Sequence, residues 1–334
     1  MDPHRPFDAL GAIDTRSPLK VAQAIQGILG GRIDGWDSAF LFEAFDNVER
    51  LYAGNREGFL PCDTPYHDLR HALETALAMA RLVDGWEVSL ASARGSLGAD
   101  VALLAVILAL MHDVGFLRRD SERHLNGASF TAQHEARGAQ FVERYLERSP
   151  LRPLAPLARL IDATRLDSRM EAFDGGESHR VVARMLATSD LLSQVADRCY
   201  LEKCRDFLYA EFVEAGLARG PQGRNALAPY ASPHELLART PAFCERHVLS
   251  RLDADLAGMH RLMATHFGGR DPYGEAVTLN LGYLQEVIAQ GEYDRLRRHP
   301  EAIFAPDGEH ASPAAIAPSA SPAMRAATQP TSAG

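Results

Sequence analysis

The sequence predicts an all-α protein, and three observations lead to that prediction. Apolar side chains recur at helical spacing through most of the 334-residue chain. Few stretches alternate polar and β-branched residues with a period of two, so no sheet is expected. The apolar run at 101–111, VALLAVILALM, is typical of a helix buried on every side. We expect the rest of the fold to be organised around this helix.

The predicted helices follow one another with short connections. In chain order they cover 18–29, 37–52, 66–83, 101–111, 130–149, 153–166, 178–215 (with an interruption), 241–267 and 273–290. The third has the clearest start, because Asp63 or Thr64 can cap it and Pro65 suits the first helical turn. A loop is expected at 84–98. The helix from residue 130 stops at Pro150, because proline cannot continue a helix.

Three parts of the chain are distinguished by their patterns. Residues 1–60 are expected to form an N-terminal helical segment that packs on the core, and residues 61–304 to form the core domain. After that the composition shifts to Ala, Pro and Ser. Such a stretch cannot bury enough apolar surface to fold, so 305–334 is expected to be a disordered tail.

Composition bounds the partners and the compartment. The chain has 35 Lys and Arg against 44 Asp and Glu, a formal net charge of −9, which argues against a nucleic-acid-binding surface. The N-terminus has no apolar signal-peptide core. The buried run is shorter than the roughly 20 residues needed to cross a bilayer. We therefore expect a cytoplasmic protein with no nucleic-acid or membrane partner.

Two groups of polar residues stand beside predicted helices. His67 and His71 are four apart, which places them about 40° apart on a helix face. His112 and Asp113 end the buried helix, where an imidazole and a carboxylate are costly to bury without a cation. Each pair alone is also typical of a solvated surface or a helix cap. With an acid from a later helix, they favour a metal site, because borderline cations bind imidazole and carboxylate together.

Five segments in order resemble the HD-domain metal-dependent phosphohydrolase superfamily, and most closely the class I cyclic-nucleotide phosphodiesterases. PYHDLRHALETA resembles the HNxxHAxxV signature, and ALMHDVGF is similar to the HD motif. QHEARGAQFVERYL, LIDATRLD and VVARMLATSDLLSQVADRCYLEKCRDFLYAEF are similar to later segments, so the resemblance covers about 66–215. It implies a multi-helix HD-domain, phosphodiesterase-like bundle with a central metal site, and 61–304 as a metal-dependent phosphohydrolase domain.

The resemblance also implies roles for individual residues. The matched metal ligands are His71, His112, Asp113 and Asp190. Asp113 would in addition bridge to a second ion, and His67 matches the general acid, so these two are the predicted catalytic residues. His134 matches a histidine that lies near the bridging water without binding the metal. Phe243 is a candidate for the phenylalanine that packs against the substrate.

Two positions depart from the phosphodiesterase pattern in ways that bear on function. Asp68 stands where those enzymes have Asn. Thr131 stands where they have an acidic residue near the bridging water. The purine-clamping glutamine is not reproduced either, since Thr240 would occupy its position if Phe243 is the clamping phenylalanine. These departures leave the metal site in place and weaken the case for cyclic-nucleotide specificity.

The implied function is metal-dependent hydrolysis of a small phosphoester, such as a nucleotide or cyclic nucleotide. Two divalent ions are expected, drawn from Zn, Mn, Mg or Fe. One alternative is an HD-type di-iron oxygenase, which would need further histidines between the HD pair and Asp190; PLARLIDATRLDSRM has none. Another is a non-catalytic, ligand-sensing HD-fold protein, which the missing acid at Thr131 keeps open.

Overall fold

The computed structural model describes residues 8, 10–89, 95–173 and 176–303, and it confirms the all-α prediction. The α-helices are α1 Pro18–Leu29, α2 Ser38–Tyr52, α3 Leu69–Ser89, α4 Ala99–Met111, α5 His134–Leu146, α6 Glu177–Val195, α7 Tyr200–Lys203, α8 Tyr209–Glu214, α9 Pro233–Phe243, α10 Ser250–Asp253, α11 Leu262–His266 and α12 Pro272–Gln290. In this part of the chain, β-pairing is limited to two isolated bridges, Phe59 with Arg119 and Ala218 with Tyr230. The predicted tail at 305–334 lies outside the described residues.

Helix α4 is the centre of the fold, as its apolar composition predicted. Its side chains from Ala102 to Met111 are buried, and α2, α3 and α6 pack around it. By length and composition alone, Ala99–Phe116 is long and apolar enough to cross a membrane. However, 83% of this stretch is buried inside the protein, which is typical of a core helix.

The predicted start of α3 is wrong by one turn. The helix begins at Leu69, because Asp68 caps it: Asp68 Oδ1 accepts a hydrogen bond from the His71 N–H at 2.9 Å. The hydroxyl of Thr64 is used elsewhere and donates to the His67 carbonyl at 3.2 Å. At its other end α3 continues to Ser89, so the first part of the predicted 84–98 loop is helical.

Three further segments differ from the predicted helices. The 153–166 segment is a 3-10 helix, Arg152–Thr164, with a proline at its start and Pro156 inside it. The helix expected from residue 130 begins at His134, after a 3-10 turn at Gly127–Phe130. The segment at 241–267 is broken near Gly258, where the backbone has positive φ.

The N-terminal helices and the rest of the molecule share one apolar core. Helix α1 packs on α2 and α3, and α2 packs on α4. Buried side chains of both, such as Ile25 and Phe45, belong to the same cluster as those of α4 and α6. The division of the chain at residue 60 remains a prediction.

Candidate metal centre

The first turn of α3 delivers His71 to the centre of the molecule. Its cap, Asp68, is itself held in place, because Asp68 Oδ2 accepts a hydrogen bond from the Ile303 N–H at 2.7 Å. The Leu69 N–H donates to the Ile303 carbonyl at 3.0 Å, so the end of the described chain is fastened to the start of α3. His71 is 3% exposed, and its Nε2 has no hydrogen-bond partner.

The C-terminal end of α4 delivers His112 and Asp113. His112 Nδ1 lies 2.8 Å from the carbonyl oxygen of Ala109. A carbonyl can only accept, so Nδ1 carries the proton and Nε2 of the neutral ring presents a lone pair. Asp113 follows the last helical turn, and its Oδ2 is buried with no hydrogen-bond partner.

Four side chains meet at one point: one comes from the first turn of α3, two from the end of α4 and one from the buried face of α6. His71 Nε2 lies 3.4 Å from Asp113 Oδ2 and 3.2 Å from Asp190 Oδ1. His112 Nε2 lies 3.1 Å and 3.5 Å from the same two oxygens. The ligand atoms of His71, His112 and Asp190 all lie within 4.8 Å of one another. The structure thus brings together the four residues predicted as metal ligands.

This arrangement fits a divalent cation. Ligand atoms about 2.1 Å from a shared ion are about 3.0–3.4 Å apart in octahedral or tetrahedral geometry, close to the observed separations. Two carboxylates with two neutral imidazoles give the site a charge that a dication balances. The unpartnered Nε2 atoms and Asp113 Oδ2 would each be costly to bury without a partner, and an ion supplies that partner.

The charges of the four side chains shift one another's protonation. Burial lowers the pKa of His71, but contacts with Asp113 and Asp190 raise it by more, to about 9. The same balance raises the pKa of His112. Burial raises the pKa of Asp190, and the two histidines lower it by more, so this carboxylate is held ionised. The carboxylates are therefore held anionic, and a bound cation would replace the protons that the raised pKa values favour on the two histidines.

His67 lies in the turn before α3, so it does not share a helix face with His71, contrary to the prediction. Its ring still faces the centre, 6.1 Å from the His71 ring. Its Nδ1 lies 2.6 Å from Glu211 Oε2, and Glu211 Oε1 accepts hydrogen bonds from the Tyr66 and His67 N–H groups at 2.6 and 3.3 Å. Burial lowers the pKa of His67, but the charge of Glu211, the hydrogen bond to it and the charge of Asp113 together raise the pKa by more.

Glu211 of α8 is a site residue that the sequence analysis missed. It is 3% exposed although it carries a charge. The signal was available, because Glu211 lies one helical turn after the buried Phe207 and therefore on an inward-facing side. A charged residue on a buried face has to be paired, and here its partner is His67.

His134 reaches the centre from the N-terminus of α5. Its Nδ1 lies 2.8 Å from the Thr131 carbonyl, and its Nε2 lies 3.6 Å from Asp113 Oδ1. A Cβ atom at Gly115 would lie 1.8 Å from the His134 carbonyl oxygen, so glycine there is what allows α5 to approach α4. The Phe116 ring stacks on both His67, at 4.4 Å, and His134, at 4.1 Å.

Glu135 supplies a carboxylate in the pocket that Thr131 also lines, so an acidic residue is present there although position 131 is not acidic. Glu135, next in the chain after His134, is 8% exposed and lines the pocket at the centre. Its Oε2 lies 3.3 Å from His134 Nδ1 and has no hydrogen-bond partner. Thr131 itself is occupied locally, because its hydroxyl donates to the Ala128 carbonyl at 2.7 Å.

A pocket of about 430 Å³ opens beside these residues. His67, Asp113, His134 and Asp190 contribute polar atoms to its wall. The remaining wall is mainly apolar and includes Leu191, Val195, Leu208, Phe212, Leu217, Phe243 and Val248. Phe243, the predicted substrate contact, therefore lies in this wall. Gln194 also lines it, but its amide donates to Asp190 Oδ1 at 2.6 Å and its oxygen accepts from the Tyr66 hydroxyl at 3.0 Å.

Among the comparisons with known proteins, the comparison with solved structures finds similar chains. No protein-family model matches the chain, and neither does any curated protein. The crystal structure of the phosphodiesterase domain of the RhoPDE fusion protein from the choanoflagellate Salpingoeca rosetta is similar over 87% of this chain and 97% of that chain, with 14% sequence identity and a TM-score of 0.47.

Proposed function

We propose that this protein hydrolyses a small phosphoester by means of divalent metal ions held by His71, His112, Asp113 and Asp190. One observation supports the proposal above all: buried ligand atoms without hydrogen-bond partners converge beside a pocket of small-molecule size. A bound dication lowers the pKa of a coordinated water from 15.7 to about 7, which supplies hydroxide at neutral pH. Two such ions are proposed, of Zn, Mn, Mg or Fe.

Asp113 is proposed to bridge the two ions. Its Oδ2 faces the two histidines of the cluster, at 3.1 and 3.4 Å, whereas its Oδ1 faces His134 on the other side, at 3.6 Å. A carboxylate whose oxygens point to different partners is suited to bridging. His134, whose Nδ1 contacts the Thr131 carbonyl, has its Nε2 near Asp113 Oδ1 and would contact a water held by the ions.

His67 is proposed to protonate the leaving oxygen. Its Nδ1 is held by Glu211, so Nε2 is the nitrogen left to act on substrate. The buried Glu211 carboxylate favours the protonated ring, and this keeps the acid charged until the ester bond breaks. Glu211 thus positions His67 and tunes its basicity.

The pocket favours a phosphoester with an apolar or aromatic organic part. Most of the wall beyond the metal-binding residues is aliphatic or aromatic and includes Phe212 and Phe243, while Thr164, Arg165 and Asp167 are polar residues in the same wall. Gln194, the amide in this wall, already has a partner at both ends of its side chain. The pocket therefore packs against a ring or alkyl group more readily than it reads the hydrogen-bonding edge of a nucleobase.

The two alternatives are less well supported. Oxygenase chemistry needs more histidine ligands, and among the described residues the compact ligand group contains His71, His112 and Asp190 without a third histidine. A ligand sensor would not need an ion-paired histidine such as His67 beside a metal-binding cluster. Oxygen uptake tests the first alternative, and metal content together with turnover tests the second.

The proposal is tested by metal analysis and by turnover of a phosphoester panel with added Mn²⁺ or Mg²⁺. The panel contains bis(p-nitrophenyl) phosphate, p-nitrophenyl phosphate and 3′,5′-cyclic AMP and GMP. The wild type should bind metal and hydrolyse at least one of them. Asp113→Ala should lose metal and about a thousandfold or more in rate, because several kcal/mol of transition-state stabilisation disappear.

The exposed Asp46→Ala of α2 is the matched control, and its rate should equal that of the wild type. Turnover that survives Asp113→Ala would reject the mechanism. A metal-free wild type that turns over nothing in the panel would leave only the sensor alternative.

A further inference from the structure

A second cavity, of about 420 Å³, lies between α2, the loop that joins α2 to α3, and the C-terminal end of α5. It shares no lining residue with the pocket at the metal centre. Four arginines and one glutamate contribute its charges: Arg56, Arg119, Arg144, Arg148 and Glu43. We call it the arginine cavity. It is strongly positive in a chain whose formal net charge is −9.

The four guanidinium groups have no carboxylate partners in the part of the chain that the structure describes. Exposed arginines elsewhere in the molecule do form ion pairs, for example Arg224 with Glu214 at 2.8 Å and Arg270 with Glu275 at 2.5 Å. Two of the four, Arg144 and Arg148, lie four residues apart near the end of α5, where like charges repel. The concentration of unpaired positive charge at one cavity favours an anion as its ligand.

Helix electrostatics account for only part of this charge. Basic residues near a helix C-terminus are stabilised by the helix dipole, which suits Arg144 and Arg148. Arg56 and Arg119 come from loops, and a bridge between Phe59 and Arg119 brings those loops together. The four arginines thus converge from three separate segments of the chain, which no single helix requires.

Aromatic rings order two of the guanidinium groups. Arg56 lies over the Phe141 ring at 5.2 Å, and Arg119 lies over the Phe59 ring at 5.3 Å. The two phenylalanine rings meet edge to face at 5.6 Å. A guanidinium that stacks on a ring keeps its N–H edge free for bidentate hydrogen bonds to a phosphate. Both rings are half-buried, so a planar heterocycle can pack against the part of their surface that the protein leaves open.

We propose that the arginine cavity binds a nucleoside diphosphate, with its phosphates on the arginines and its base against Phe59 and Phe141. The volume lies within the range of small-ligand sites, about 300–1,000 Å³. Four guanidinium groups, each able to donate two parallel hydrogen bonds, match a ligand with more than one phosphate. The Asn47 amide and the Glu43 carboxylate, both in the lining, provide a donor and acceptors for the polar edge of a base.

This site is separate from the metal centre and does not depend on the function proposed for it. Arg144 lies about 15 Å along α5 from His134, at a rise of 1.5 Å per residue. Binding at the arginine cavity should therefore persist when metal has been removed from the protein. It should also persist in Asp113→Ala.

The test is equilibrium binding of ADP, pyrophosphate and adenosine to the full chain, by calorimetry. ADP should bind with one site per chain, and pyrophosphate should displace it. Arg144→Gln combined with Arg148→Gln should weaken ADP binding by at least about tenfold, because charged hydrogen bonds to the phosphates are lost. Both residues are exposed, so the fold should be kept. Arg246→Gln combined with Arg297→Gln, also exposed, makes the same charge change elsewhere and should leave the affinity unchanged.

The Phe141→Leu variant distinguishes the contribution of the base to binding from that of the phosphates. It should weaken ADP binding severalfold and leave pyrophosphate binding unchanged, because stacking is lost and the arginines remain. Equal affinities for ADP and pyrophosphate in the wild type would overturn the proposal of a nucleotide. No binding of ADP at millimolar concentration, or equal loss in both double variants, would overturn the site.

Discussion

At the scale of the residue, the centre depends on pairs in which one side chain fixes the other. Glu211 holds His67 through a 2.6 Å contact, and Gln194 holds Asp190 through another of the same length. The Ala109 carbonyl fixes the tautomer of His112. Such partners set both the direction and the basicity of the groups for which we propose a catalytic or metal-binding role.

The His67–Glu211 pair leads to a prediction about leaving groups. His67→Ala and Glu211→Gln should slow hydrolysis of an alkyl phosphoester by about 100-fold or more, the usual contribution of a general acid. With a p-nitrophenyl ester the loss should be far smaller, because that leaving group departs without a proton. Rates on matched alkyl and aryl esters, with metal content measured alongside, check the prediction.

The exposed Glu143→Gln of α5 serves as the control and should change neither rate. An equal loss on both esters would show that His67 acts on binding or on the metal rather than as the acid.

At the scale of the element, the start of α3 governs the site. Asp68 caps the helix with one oxygen and binds the Ile303 N–H with the other. It thereby fixes the turn in which His71 faces the metal ligands. An asparagine at this position has only one side-chain oxygen, so its amide nitrogen, a donor, would face the N–H of either His71 or Ile303. The carboxylate is therefore what allows both hydrogen bonds to form with separate oxygens.

Asp68→Ala is predicted to destabilise the protein by about 2–3 kcal/mol. About 1 kcal/mol is the usual cost of losing an N-cap, and the remainder comes from the unsatisfied Ile303 N–H. Metal affinity should fall as well, because His71 is no longer oriented. Denaturant unfolding and metal titration measure the two effects.

Asp37→Ala is the matched control, because Asp37 caps α2 by accepting from the Phe40 N–H at 3.0 Å and has no contact at the centre. It should cost about 1 kcal/mol and leave metal affinity unchanged. Equal effects of the two substitutions would argue that Asp68 acts as a cap alone.

The elements that the sequence predicted best are those with a strong local pattern. The buried run of α4 and the helix predicted at 273–290 needed no information from elsewhere in the chain. The start of α3 was misplaced because Pro65 also suits a turn, and the choice of Asp68 as cap depends on Ile303, more than 200 residues away. The arginine cavity was missed for a related reason, since its arginines come from distant segments of the chain.

At the scale of the whole molecule, a second buried polar cluster joins the N-terminal and C-terminal halves. Lys203 Nζ lies 2.5 Å from Asp197 Oδ2, and Arg70 Nε lies 2.8 Å from Glu74 Oε1. Asn280 of α12 donates to the Asp197 carbonyl at 2.8 Å. The charges balance within the cluster, so removing one member of a pair leaves its partner buried without a counter-charge.

Acid should destabilise the fold partly through Asp197. Burial raises its pKa, but Lys203 and Arg70 lower it by more, so its pKa in the folded state is depressed. A depressed carboxylate stabilises the fold above its unfolded pKa, near 3.9, and this stabilisation is lost as the pH falls from about 4 towards the folded value. The free energy of unfolding at a series of pH values from 6 to about 2 measures it.

Asp197→Asn should be less stable at neutral pH by about 3–5 kcal/mol, and its stability should fall less steeply with acid below about pH 4. Asp206→Asn, at the more exposed pair with Arg205, should change little. Parallel acid profiles for the wild type and Asp197→Asn would contradict this account.

The contact between Ile303 and Asp68 has a practical consequence for handling the protein. A force on the polypeptide after residue 303 would act on Asp68 through its hydrogen bond with the Ile303 N–H. Asp68 in turn caps the helical turn that carries His71. An affinity tag, an immobilisation surface or a fused partner is therefore better attached at the other terminus. We expect a preparation tethered beyond residue 303 to bind divalent metal less tightly than a free one.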